Sequence, residues 1–191
     1  MEKKRTTKVL AILAILIAIA GMSISFDSFS TKLDINGYAS MGNANWHIYF
    51  DNLSSAEVKG EAEEITHPTI TNNSTSIGTY YVKLNRPNDS ISYTFDIVNA
   101  GGLDAKLTTL NMPKPICVGS GANKEIDEKL VCDHLKYTLT KLDGSTYSLA
   151  DVIKKEERLT VKLTLTYEGD TLPNEEVKIE GLGIDLNYSQ N

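Results

Sequence analysis

Histidine is scarce in this chain: 191 residues carry three, His47, His67 and His134, and no two of them lie close in sequence. Zinc hydrolases need convergent ligands and a general base, usually as a His-Glu-x-x-His run on one helix. No such run is present, which leaves only the remote case of distant histidines meeting in space. Cysteine is scarcer still, with two residues and no second pair nearby, so zinc spacing is not met either. Gly119-Ser120-Gly121 lacks the lysine that holds a phosphate, and Gly144-Ser145 reads as a turn rather than a nucleophile elbow. Glu63-Glu64, Glu156-Glu157 and Glu175-Glu176 are next-door carboxylates, which point to opposite faces of a strand and read as solvated. The expectation is a protein that is not an enzyme, with no catalytic residue, no cofactor and no metal.

Basic residues are the minority, 19 Lys and Arg against 25 Asp and Glu. Four of them, Lys3, Lys4, Arg5 and Lys8, stand before the one long hydrophobic run, VLAILAILIAIA at residues 9–20. That is the charged region and apolar core of an export signal. The run falls short of the roughly 20 residues of a full span, although residues 21–26 extend it. Two fates follow. In one, a signal peptidase cuts between Ser25 and Phe26, with Ser23 and Ser25 as its small residues; in the other, residues 9–20 remain as an amino-terminal membrane anchor. Cleavage leaves residues 26–191, with 15 Lys and Arg against 24 Asp and Glu, a net charge of −9. Such acidity argues against nucleic acid and anionic membrane surfaces as partners, since both require clustered cations. Residues 26–191 suit a single domain with its own core.

What the chain has in quantity is two-residue alternation. In residues 91–110, Ile91, Tyr93, Phe95 and Ile97 alternate with polar neighbours, and after Asn99-Ala100-Gly101-Gly102 so do Leu103, Ala105 and Leu107. This reads as a β-hairpin whose glycines supply positive φ. Phe29, Thr31, Leu33 and Ile35 alternate likewise, as do Trp46, Ile48 and Phe50. Residues 57–64 are charged, as an edge or loop would be, and residues 78–84 carry the β-branched and aromatic content of a strand. Leu135, Tyr137 and Leu139 alternate again. The clearest strand holds Leu159, Val161, Leu163, Leu165 and Tyr167, and the last starts with Val177 and Ile179 and changes phase at Gly181 and Gly183, as a β-bulge would make it. Residues 148–157 read as a short helix capped by Ser148 with Asp151 three residues on. The expected class is all-β: an antiparallel β-sandwich, jelly-roll or immunoglobulin-like.

Residues 111–134 differ, with Pro113, Pro115, Gly119 and Gly121 and no sustained period, and read as a long excursion with a helical piece at 124–130. Cys117 and Cys132 lie inside it. In an exported chain they are expected to close the loop as a disulfide worth about 3 kcal/mol on the chain-entropy view, the alternative being two free thiols.

Three stretches, SFDSFSTKLDING at residues 25–37, YTFDIVNAGGLDAKLT at 93–108 and LNYSQ at 186–190, together with the basic start and short apolar core, make the chain similar to the camelysin/TasA family of exported Gram-positive proteins. The resemblance implies a jelly-roll-like sandwich, processing by a SipW-type signal peptidase, and a role as a biofilm-matrix fibre subunit or cell-surface protein, secreted or held at the cell surface. Its partners would be other copies of itself or other matrix and surface proteins. Camelysin also gives its name to a proposed metalloprotease family, a reading the histidine pattern disfavours. Two roles are open to the strand of Phe26, Phe29, Thr31, Leu33 and Ile35: the first strand of its own sandwich, or a donor strand that pairs with the open edge of a neighbour and builds a fibre. The alternative to a fibre is a monomeric or membrane-anchored adhesin, for which Tyr49, Tyr80, Tyr81 and the cysteine loop are candidate contacts, packing being the plainer role of the tyrosines.

Overall fold

Alternation over residues 158–167 makes a strand that buries Val161, Leu163, Leu165 and Tyr167 and leaves the residues between them half-buried. The computed structural model describes residues 45–71 and 75–190. Ser25 and Phe26, the strand of Phe29, Thr31, Leu33 and Ile35, and the apolar run 9–20 lie outside the described residues. In chain order the elements are β1 (Ile48–Asp51), β2 (Glu57–Lys59), β3 (Glu63–Thr66), β4 (Ser76–Ile77), β5 (Tyr81–Lys83), β6 (Ser90–Asn99), β7 (Ala105–Asn111) and β8 (Ile116–Gly119). Helix α1 (Lys124–His134) comes next, then β9 (Leu135–Lys141), β10 (Val152–Ile153), β11 (Arg158–Tyr167), β12 (Val177–Glu180) and β13 (Ile184–Gln190).

Among the described residues the fold is all-β with one helix, and every strand pairing is antiparallel. One sheet places β6 between β11 and a broken edge formed by β1 and β2, with β9 beyond β11. The second runs β10-β7-β13-β4. Phe95, Ile97, Leu163 and Leu165 of the first sheet join Leu107, Ile153, Ile184 and Leu186 of the second in one buried cluster, as two facing sheets require. The first sheet's broken edge has a plain cause. Asn52 takes φ 51°, and Ser54 steps in to exchange hydrogen bonds with Thr94, its N–H donating to the Thr94 carbonyl and its Oγ accepting from the Thr94 N–H.

The structure corrects four sequence readings. Residues 91–110 are two strands but not a hairpin, because β6 and β7 belong to different sheets. The link is an arch held by buried Asn99, whose Nδ2 donates to the carbonyls of Leu103, Ile153 and Lys154 while its Oδ1 accepts from Gly101 N–H. Neither glycine has positive φ; Gly101 is needed for close approach, since a Cβ there would stand 2.5 Å from the Asn45 carbonyl oxygen. Residues 148–157 are not a helix. The Asp151 carboxylate does accept from Ser148 N–H at 2.7 Å, but the bond closes a turn, and Val152 and Ile153 then pair with β7.

Among the described residues the one helix is α1, where a helical piece is expected at 124–130, and the excursion of residues 111–134 holds β8 as well. The final run is two strands rather than one bulged strand. β12 pairs with β8 and β13 with β7, and Gly181 at φ 76° and Gly183 at φ 157° turn the chain between sheets. Residues 78–84 contribute only β5, because the chain leaves β4 before it.

Candidate functional site

Two of these breaks leave strand edges open. β5 pairs only with β3 and β12 only with β8, so among the described residues each has one side without a ladder partner. The two lie near each other and wall a groove of about 770 Å³. Its apolar lining comes from Val82 and Leu84 on one side, Val177 and Ile179 on the other, with Val131 of α1 and Leu135 of β9. The rim carries three large hydrophobic side chains in water: Ile65 at 60% exposure, Tyr81 at 46% and Leu172 at 49%. Lys83, Lys178, Glu175, Glu176 and Glu180 complete it, a mixed rather than single-signed border. An apolar lining beside an open edge suits an extended peptide paired along one of the two strands, its alternate side chains entering the groove; β5 and β12 approach within 8 Å of each other, Cα to Cα, too near for one strand to bond to both.

The β12 wall is built on α1. Asp127 and Val131, one turn apart on the same helix face, are the residues α1 buries. The Asp127 carboxylate accepts from Asn174 N–H and Nδ2–H at 3.0 Å each and from Glu175 N–H at 3.1 Å, so it holds the lip that leads into β12. The backbone bond from Asn174, opposed by burial and joined by the bond from Glu175, keeps its carboxyl below the usual carboxylate range. Glu128 Oε1 accepts from Gly119 N–H at 2.9 Å, tying α1 to β8. The expected disulfide is formed, and Cys117 and Cys132 bridge β8 to α1 with their Cα atoms 5.9 Å apart.

The tyrosines divide as packing and exposure dictate. Tyr80 is buried and donates to Tyr137 Oη at 3.1 Å; Tyr137 in turn donates to the Gly183 carbonyl and accepts from Gly183 N–H. Burial pushes the Tyr137 hydroxyl up to about 12, so this bridge stays protonated at neutral pH. Tyr81 alone of the three candidates reaches the groove, and Tyr49 packs on the ring of His47. The histidines are engaged locally: His67 Nδ1 meets Glu64 at 2.7 Å and His134 Nδ1 lies 2.8 Å from the Leu130 carbonyl. Among the described residues no cluster of three metal-ligating side chains occurs, and no helix is long and apolar enough to cross a membrane.

One other polar cluster invites an active-site reading. Asp96 on the outer face of β6 accepts from Thr160 Oγ1, from Arg158 at 2.6 Å and from Asn52 Nδ2 at 2.8 Å. Burial pushes its carboxyl up, but the bonds from Thr160, Arg158 and Asn52 together outweigh that and hold it below the ordinary range. Its oxygens are occupied, so it serves as a cross-strand clamp. Because the folded pKa is depressed, the clamp contributes fully above the unfolded value of about 4 and is lost as pH falls through the lower folded value. Asp96→Ala is expected to lose about 1–2 kcal/mol at pH 7 and to lose less stability than the parent chain as pH falls below about 4, measured by urea unfolding.

Fold and groove together define the class: an antiparallel β-sandwich with an open two-edged cleft. Comparison of the chain with protein-family models, curated proteins and solved structures finds no match. The groove was not legible as a site in the sequence. Residues 78–84 read as one strand and 177–188 as one strand with a bulge at Gly181 and Gly183, and those glycines signal a break that the pattern alone does not tell from a bulge.

Proposed function

We propose that the chain is an exported structural subunit of an extracellular matrix fibre or cell-surface layer, similar in kind to the camelysin/TasA proteins. The observation that carries this reading is the groove between β5 and β12, whose apolar lining and open strand edge suit an incoming strand paired on one side. The donor would be residues 26–35 of a neighbouring copy, exposed at a new amino terminus once the export signal is cut. Its Phe29, Thr31, Leu33 and Ile35 share one face by period and would enter the groove beside Val82 and Ile179, while Lys32 and Asp34 face the mixed charges of the rim. The disulfide supports export, since such bonds persist in oxidising surroundings. A secreted or cell-surface location follows from this reading.

The test is intact mass of the native protein together with its size distribution by light scattering. A mass beginning near Phe26 and particles that grow with time are expected. Replacing Tyr81 and Leu172 together by glutamate should stop the growth without shifting the unfolding midpoint, because both side chains stand half in water. A mass beginning at Met1, or a cleaved chain that stays monomeric, overturns the fibre and favours the anchored or monomeric adhesin, which would use the same rim for another protein.

A further inference from the structure

The disulfide joins two elements next to the groove, although neither cysteine lines it. Cys132 directly follows Val131, which lines the groove from α1, and Cys117 stands opposite Ile179 in the β8–β12 register, where Ile179 lines it from the strand. The bridge therefore fastens α1, which gives Val131 to the groove, to β8, the strand on which β12 is paired. Beyond it, α1 is held to β8 by one side-chain bond, from Gly119 N–H to Glu128, and by packing. β12 has no ladder partner but β8, α1 packs on β8 and β12, and the lip at Asn174 and Glu175 hangs from Asp127 of the same helix. α1 has eleven residues, buries only Asp127 and Val131, and begins at Asn123 without a side-chain cap. A helix of that length does not hold its form in water unaided. The sandwich proper contains no cysteine, and its central strands bury Phe95, Ile97, Leu163 and Leu186 completely.

Resting on the reading of the groove as a strand acceptor, we propose that the Cys117–Cys132 bond is the switch that makes the groove competent: the oxidised chain takes a strand and the reduced chain does not. With the bond broken, α1 is free to leave β8, the lip loses its anchor, and the β12 wall loses its shape while the two large sheets persist. The chemistry is thiol–disulfide exchange. A disulfide-bearing oxidant, a protein oxidoreductase or glutathione disulfide, takes two electrons and two protons from the Cys117 and Cys132 thiols. The Sγ–Sγ bond forms and the oxidant's own disulfide becomes two thiols. Both cysteines are only half-buried. The consequence is timing: a subunit made in a reducing interior stays inert, and acquires its acceptor after export.

The experiment uses the native protein, a fluorescein-labelled peptide of residues 26–35, and hydrogen exchange read strand by strand, before and after dithiothreitol. Reduction is expected to weaken peptide binding at least tenfold and to speed exchange in α1 and β12, with β6 and β11 still protected; glutathione disulfide restores both. The Cys117→Ser/Cys132→Ser chain should behave as the reduced protein and ignore dithiothreitol. Equal binding by oxidised and reduced protein overturns the switch and leaves the strand-acceptor reading standing. No binding by the oxidised protein overturns that reading, and the switch with it. Exchange that rises in β6 and β11 as well overturns the switch alone, since the bond would then be a staple for the whole fold.

Discussion

Phe95→Ala is expected to lower stability by about 3–5 kcal/mol, read as a fall in the urea midpoint at unchanged slope. Phe95 is fully buried at the middle of β6, opposite Val161 of β11, and its ring lies 4.7 Å from that of Phe50, centroid to centroid, at 48°. β6 is paired along both sides, so the backbone around the lost ring has little freedom to close over the cavity. Domains of this size hold about 5–15 kcal/mol in total, so the variant should stand near the edge of folding at 37 °C. A loss below about 1 kcal/mol would mean that the two sheets do not face each other across Phe95 as described.

Asn99→Ala is expected to cost about 2–4 kcal/mol and, unlike the ring deletion, to act on one arch. The side chain holds Leu103, Ile153 and Lys154 by their carbonyls and Gly101 by its N–H, and joins the β6–β7 link to the end of β10. Removing it leaves the buried Gly101 amide and the Ile153 carbonyl without this partner, and nothing apolar replaces the bonds. Hydrogen exchange should report faster opening at residues 99–105 and 152–154 than in β11. Asn99→Asp gives a sharper contrast, because it keeps the acceptor for Gly101 but presents a carboxylate to three carbonyls, and it should be at least as harmful.

Where the sequence spoke clearly, each residue had one dominant neighbour environment. β11 and β6 alternate because each is paired on both sides with its inner face in the core, so pattern and burial coincide at Ile91, Phe95, Val161 and Leu165. The signals that misled are local ones with two outcomes. Turn residues at 99–102 serve a hairpin or an arch equally well, and only the bonds of Asn99 to residues some fifty positions away decide between them. Ser148 and Asp151 make the bond of a capping box without a helix to cap. β8 was invisible because it spans four residues and its partner is some sixty positions downstream, at Ile179. The cysteine pair was legible; its place beside the groove was not, because that depends on a pairing no local pattern announces.

The step at Ser54 bears on how copies of this protein would meet. By filling the gap between β1 and β2 with its own hydrogen bonds to Thr94, it leaves the outer side of the first sheet too short and too irregular to accept a passing strand, and Glu57 and Lys59 put charge on what remains. The cleft between β5 and β12 has no such guard. If the cleft takes a strand as proposed, growth would run through it and not through this blunted flank, end to end instead of sideways.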